Sequence, residues 1–264
     1  MKNNVKITYG LFALALIVFA FTDLQISQAV FGENNAFGNF FETFGEVPMM
    51  LVGAFSCASM ILTSKKKKSF ANLGFGVLFI TNSLGAAALP GDYLKLNVVL
   101  IGLIALSVAI ITAYGVSRIT PDKYNGLRQI SKVVVVLSLA PIFVINGLKM
   151  LWGRERFRHM SDPVLEFTPW YLPQGLTTNN EFMSFPSGHS ANGAVILWLT
   201  LIPLVFNNSK KRLLGIFAWT WSISVMFSRI VVGAHFASDV VMGLAITYTL
   251  LIILKKIFVK DNIG

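Results

Sequence analysis

Residues 97–117 read NVVLIGLIALSVAIITAYGVS, a stretch without a single charged side chain. At about 1.5 Å of rise per residue it is long enough, as a helix, to cross the ~30 Å of hydrocarbon in a bilayer. Lipid offers no partners to backbone N–H and C=O groups, so a segment of this kind must satisfy them internally and be helical. Seven further runs of the same character lie on either side, at about 7–22, 47–63, 70–89, 131–151, 188–206, 214–232 and 236–254. The chain of 264 residues is 55% hydrophobic and only 13% charged, too little polar surface for a water-soluble domain of that length. The expected fold is all-α, a polytopic membrane bundle of about eight transmembrane helices.

The charges give this bundle a direction. With the N-terminus inside, the inner segments carry Lys2, Lys6, Lys65–Lys68, Arg118, Lys123, Arg128, Lys132, Lys210, Lys211, Arg212, Lys255, Lys256 and Lys260, beside only Asp122 and Asp261. The other side keeps six basic residues and ten of the twelve acidic ones. Basic residues gather in cytoplasmic loops, so both termini are expected in the cytoplasm, in a bacterial plasma membrane. The net charge of +10 is then a topology signal rather than a footprint for nucleic acid. Cys57, the lone cysteine, falls within the second run, so the chain forms no internal disulfide. Ser27-Gln28-Ala29 meets the small-residue rule for signal-peptide cleavage, but eight residues separate it from the apolar core, which favours an uncleaved first span.

Two outer segments are long. In 31–46, FGENNAFGNFFETFGE, Phe37, Phe40, Phe41 and Phe44 recur at i, i+3, i+4 and i+7, the spacing of an amphipathic helix lying at the interface as a lid, an anchor or a gate. The second, about 152–187, carries Arg154, Glu155, Arg156, Arg158, His159, Trp170 and Tyr171 and is too polar to enter lipid. Trp170 and Tyr171, between Pro169 and Pro173, suit an aromatic belt anchor. Arg154 and Arg158 suit either phosphate contacts or charge balance for Glu155 and Asp162. His159 reads as an ordinary loop residue.

The unusual polar residues converge on the outer ends of four consecutive spans. Lys149 closes the fifth, with Arg156 seven residues on. Ser187, Gly188 and His189 open the sixth, within 184–194, SFPSGHSANGA. Ser228 and Arg229 end the seventh, and His235 and Asp239 begin the eighth. Charges at membrane depth are expensive, and such a one-sided gathering points to function. If the ligand is a phosphate, each has work to do. Lys149, Arg156 and Arg229 would neutralise its oxygens, the arginines with a planar fork. Ser187 and Gly188, at a helix start, would present a hydroxyl and close-approaching backbone N–H groups. His235 and Asp239 are four apart, so on a helix they share a face. The carboxylate can then orient the imidazole, leaving its other nitrogen to attack phosphorus. His189 would protonate the leaving alcohol and later activate water. A metal site built from His189, His235 and Asp239 lacks a supporting cysteine or close histidine pair, so neither metal nor other cofactor is expected.

These residues fall into three ordered blocks. Lys149 and Arg156 enclose six residues, although Phe157 stands where a proline is usual. Pro186 to His189 form Pro-Ser-Gly-His, and Ser228, Arg229, His235 and Asp239 complete the third block. The chain thereby resembles the type 2 phosphatidic acid phosphatase superfamily (PAP2, or lipid phosphate phosphatases). The resemblance implies a six-helix core, placing a catalytic membrane domain at 70–264 behind two additional helices in 1–69. It also implies His235 as nucleophile, Asp239 as its orienting partner, His189 as general acid, and Lys149, Arg156, Ser187, Gly188 and Arg229 as the phosphate cradle. The expected activity is metal-independent hydrolysis of a lipid phosphate monoester or diphosphate at the extracytoplasmic face. Two other readings fit less well: a lipid phosphotransferase using the same histidine, and a non-catalytic transporter or anion-binding membrane protein, which would need a polar path across the bilayer.

Overall fold

A computed structural model describes residues 2–65, 69–206 and 210–259 of the chain. Lys66–Lys68, Lys260 and Asp261, counted above among the inner-face charges, lie outside the described residues. In chain order the α-helices are α1 (Lys2–Val30), α2 (Ala36–Phe44), α3 (Val47–Leu62), α4 (Phe70–Tyr93), α5 (Val98–Ser117), α6 (Tyr124–Trp152), α7 (Pro163–Glu166), α8 (Gly188–Gly193), α9 (Pro203–Phe206), α10 (Lys211–Val231) and α11 (Ala237–Phe258). No strand occurs among the described residues. Among the described residues, eight stretches are long and apolar enough to cross a membrane, and each overlaps one of the runs read from the sequence. The protein is an all-α, multi-pass membrane bundle.

Two spans differ from expectation. The first helix continues past its apolar run to Val30, carrying Asp23 at a position with no solvent exposure. Hydropathy alone ends such a segment at the first carboxylate; here that carboxylate is met by Arg154, which offsets the cost of burying it. The sixth span is not one regular helix. After α8 it tightens into a 3-10 stretch over Ala194–Leu201 before α9.

The chain divides into two compact units. The unit formed by Thr43–Leu139, Val195–Trp221 and Leu250–Gly264 contains α3, α4 and α5, which pack against one another. Ser69 and Asn97 cap α4 and α5 by accepting from the backbone N–H groups of Asn72 and Leu100. Arg128 donates to the Met60 carbonyl and the Thr63 hydroxyl, meeting the open carbonyls at the end of α3. Outward-facing Phe70, Leu73, Val98 and Ile111 stay exposed, as expected of surface whose solvent is lipid.

The other unit, Met1–Glu42, Ala140–Ala194 and Ser222–Thr249, carries all the candidate site residues. Here α1 lies along α11: Tyr9 donates to the Thr249 hydroxyl, and Tyr9 and Phe12 meet Tyr248 edge-on. Phe19, Ile26 and Val30 pack on Ile230, Ala237 and Val240. The α2 helix forms as the phenylalanine spacing predicted, with Phe41 buried and Phe37 against Phe227. The long segment after α6 is folded back on itself. Its backbone is tied by Ser184 N–H to Arg154 O (2.9 Å), Arg156 N–H to Glu181 O (2.9 Å) and Arg158 N–H to Gly233 O (2.9 Å). Trp170 serves as more than a belt anchor, since its indole donates to the Leu16 carbonyl of α1 and its ring stacks on Phe185. Tyr171 is exposed.

Candidate active site

The helix ends bring the three sequence blocks together inside this one unit. Gly233, at φ +64°, makes the sharp turn between α10 and α11 that an L side chain rarely tolerates. Within that turn the N–H groups of Ala234 and His235 both return to the Arg229 carbonyl (3.1 Å each), so the arginine and the histidine are set by the same few residues. The start of α8 is pinned to α11 by the Ser187 N–H on the Asp239 carbonyl, 3.0 Å. Ser187 also caps α8, accepting from the Ser190 N–H and hydroxyl.

Lys149, Arg156, Arg229, Ser187, His235 and Asp239 are all buried, while Gly188 and His189 are partly so. The Lys149 ammonium donates to the Met183 carbonyl (2.9 Å). Arg156 donates to both the carbonyl and the side-chain oxygen of Asn180. Burial, followed by the like charge of Arg158, lowers the Arg156 pKa. Arg229 reaches Glu42 of α2 at 3.2 Å. Arg229, His235, Lys149 and Arg156 are all near enough to act electrostatically on His189.

His235 is held differently from the expectation. Its Nδ1 lies 2.6 Å from the Ser184 carbonyl and 3.8 Å from the Asp239 carboxylate. A carbonyl only accepts, so Nδ1 carries the proton and Nε2 has the free lone pair. Ser184 thus fixes the tautomer directly. Asp239 acts from beside it, its Oδ2 accepting from the Ser184 hydroxyl (2.5 Å) and from the Phe236 N–H (2.9 Å) at the start of α11. Burial pushes the His235 pKa down to about 3, outweighing the nearby negative charge of Asp239, so the imidazole is neutral at physiological pH.

Arg154, fully buried, is neither a phosphate contact nor a counter-charge for Glu155 or Asp162. It binds Asp239 Oδ1 (2.5 Å), Asp23 Oδ2 (3.0 Å), the Ser238 hydroxyl and the Thr168 carbonyl. Arg158 instead pairs with Glu181, and that contact lowers the Glu181 pKa against the opposing effect of burial. His159, read as an ordinary loop residue, meets Glu155 four residues before it, at 2.5 Å. Phe157, standing where proline is usual, packs edge-on against Phe31 and Phe236. Among the described residues, no group of three or more His, Cys, Asp or Glu side chains is placed to hold a metal ion.

The PAP2 superfamily model matches residues 98–263. The chain belongs to the PAP2 superfamily. Among curated PAP2 relatives it is 36% identical over 118 residues to phosphatidylglycerophosphatase B of Bacillus subtilis (strain 168), covering 42% of this chain and 57% of that protein. To the lipid A 1-phosphatase of Rhizobium etli it is 27% identical over 187 residues, covering 66% of this chain and 75% of that protein. A Rhizobium johnstonii lipid A 1-phosphatase is 33% identical over 101 residues, 38% of this chain and 36% of the relative. The alignment thus spans less than two thirds of the phosphatidylglycerophosphatase. No solved structure matches the chain.

Four residues of this candidate site were not singled out from sequence: Ser184, Ser238, Asp23 and Glu42. Ser184 sits inside the SFPSGHSANGA stretch, and a carboxylate directly after an apolar run, as Asp23 is, was a readable signal of a buried partner. Ser238 and Glu42 carry no such local mark.

Proposed function

We propose that this protein is an integral membrane phosphatase that hydrolyses the phosphate monoester or diphosphate of a lipid at the extracytoplasmic face, through a phosphohistidine on His235. The observation that carries this reading is the His235 tautomer: Nδ1–H on the Ser184 carbonyl leaves Nε2 unprotonated, on an imidazole that Lys149 and Arg156 are near enough to act on. The PAP2 membership and the lipid phosphatase activities named for its relatives support a lipid phosphate as substrate. The excess of Lys and Arg on the opposite side supports the extracytoplasmic placement, with both termini inside a plasma membrane. The division into additional helices at 1–69 and a catalytic domain at 70–264 belongs to the same reading.

In the first half-reaction Lys149, Arg156, Arg229, the Ser187 hydroxyl and the Gly188 N–H hold the phosphoryl oxygens, and Nε2 of His235 attacks phosphorus. The bond from phosphorus to the lipid oxygen breaks, and that oxygen takes a proton from His189. Positive charge rises on the His235 ring, where Asp239 stabilises it. In the second half-reaction His189 removes a proton from water, the hydroxide forms a bond to phosphorus, and the P–N bond breaks. Free phosphate leaves and both histidines regain their starting states. The same cations neutralise the transition state in both directions without a metal.

Purified protein is tested for phosphate release from phosphatidic acid, phosphatidylglycerol phosphate, a polyprenyl diphosphate and a lipid A phosphate, with and without chelator. Turnover is expected to fall by at least ~10³-fold in His235→Ala. An acid-labile phosphoenzyme should form in the wild type and be missing from that variant. Undiminished turnover by His235→Ala sinks the covalent route, and loss of activity on chelation sinks metal independence. Phosphoryl transfer to an added acceptor lipid in preference to water would make the protein a transferase on the same intermediate.

A further inference from the structure

We infer that Asp23, on the first helix, is a positioning residue of the reaction, acting through Arg154 and Ser238 on the Asp239 carboxylate beside His235. This rests on the reading of His235 as nucleophile and adds to it a residue from outside the three sequence blocks and outside the stretch matched by the family model.

The geometry is a closed network. Asp23 Oδ1 accepts from the Ser238 N–H (2.9 Å), and Oδ2 accepts from Arg154 (3.0 Å) and, through a very short contact, from the Ser238 hydroxyl. That hydroxyl accepts in turn from Arg154 Nη1 (2.9 Å), whose second contact is Asp239 Oδ1. The side chains of Asp23, Arg154 and Asp239 have no solvent exposure. Phe157, Met160 and Phe236 form an apolar cluster with Leu24, Phe31 and Phe167 packed against it, and the Arg154 guanidinium lies 4.1 Å from the Phe236 ring centroid. Water is kept away, so charge acts there with little screening.

The charge balance gives Asp23 its role. Arg154 paired with Asp239 alone would cancel the negative charge that the His235 ring needs as it becomes cationic during attack. Asp23 draws on the same guanidinium, so Arg154 is shared between two carboxylates and neutralises Asp239 less completely. The other charges that act most strongly on His235, Lys149 and Arg156, are positive, and the Glu42 carboxylate is engaged with Arg229. Asp23 also fixes the first turn of α11 through both polar groups of Ser238, next in sequence to Asp239, and so sets the carboxylate's position.

The test is Asp23→Asn, which keeps the shape and an oxygen for the Ser238 N–H but removes the charge. With phosphatidic acid and phosphatidylglycerol phosphate in detergent micelles, kcat is expected to fall on the order of 10- to 100-fold while KM changes by less than about threefold. Phosphoenzyme formation in a single turnover should slow by the same factor. A role in packing alone would leave kcat near wild type in Asp23→Asn, and that result overturns the proposal. If Asp23→Asn does not fold, Ser238→Ala decides. It removes only the hydroxyl bridging Asp23 and Arg154, a smaller loss of kcat at unchanged KM is expected, and a wild-type kcat overturns the proposal. His235→Ala runs in parallel. Turnover by that variant defeats the nucleophile reading itself, whereas an inactive His235→Ala beside a fully active Asp23→Asn defeats only the role of Asp23.

Discussion

Gly243→Ala separates local helix physics from tertiary packing in this protein. Gly243 lies within α11, one turn beyond Asp239, where the helix passes the start of α8. Local propensity makes alanine the better residue, by about 1 kcal/mol in a helix interior. The tertiary structure opposes it. A Cβ on Gly243 would stand 2.3 Å from the Ser187 carbonyl oxygen and 3.3 Å from the Ala191 nitrogen, both backbone atoms that no rotamer change can move. Restoring an ordinary contact requires the two helices to part by about 1 Å, at an overpacking cost of ~1–3 kcal/mol. The parting also strains the Ser187 N–H to Asp239 carbonyl bond, which joins the start of α8 to the helix that carries Asp239. A displacement of ~1 Å between reacting groups can cost on the order of 10²-fold in rate. The expected result is therefore a kcat lower by roughly that factor, with a thermal midpoint at or below wild type despite the gain in propensity. The assay is phosphate release and thermal unfolding of purified protein, with Gly147→Ala as control. A Cβ at Gly147 meets nothing within 4 Å, so that variant should keep its activity and gain or hold stability. If Gly243→Ala is fully active and more stable, the close approach of α8 and α11 does not set the site.

Two further outcomes follow from the geometry, beside the His235→Ala and Asp23→Asn tests above. Glu42 of α2 occupies Arg229 where a phosphate would bind; an ion pair of this partly exposed kind contributes up to ~1 kcal/mol, so Glu42→Gln should lower KM for lipid phosphates by about 2- to 5-fold with kcat little changed. A raised KM would mean that Glu42 helps to bind substrate. His235 has a folded pKa of about 3 against an ordinary 6.5, so between those values the unfolded chain binds a proton that the folded one does not. Stability should therefore fall as pH drops through that window, by at most ~1.4 kcal/mol per unit from this group, and level off below it. Thermal midpoints measured against pH should fall less steeply in His235→Asn; equal slopes would show that His235 is not the group responsible.

The bundle was legible because hydropathy is a local property. Each apolar run declares its own span, and a helix is the structure that satisfies its backbone in lipid. The exceptions had long-range causes. The α1 helix outran its apolar segment because Asp23 meets Arg154, and the sixth span is partly 3-10, which its composition does not reveal. Of the candidate site, the blocks from Lys149 to Asp239 could be placed on one face from topology and helix period. Their partners could not. Arg154 looked like a loop charge, yet it is the most fully enclosed cation of the site, and Trp170 looked like an interface anchor, yet it ties the long loop to α1.

By itself the sequence determined an all-α membrane bundle and the three blocks of polar residues at the ends of its helices. Those features follow from runs and spacings within about twenty residues, the range over which hydrophobicity and the helical repeat act. Only the tertiary structure decided that the Ser184 carbonyl, rather than Asp239, accepts from His235 Nδ1, and that Asp23 shares Arg154 with Asp239 from 131 residues away. Such pairings depend on which helix faces meet when the bundle closes. A buried charge takes whatever partner that closure presents, because going without one costs more than any local preference can return.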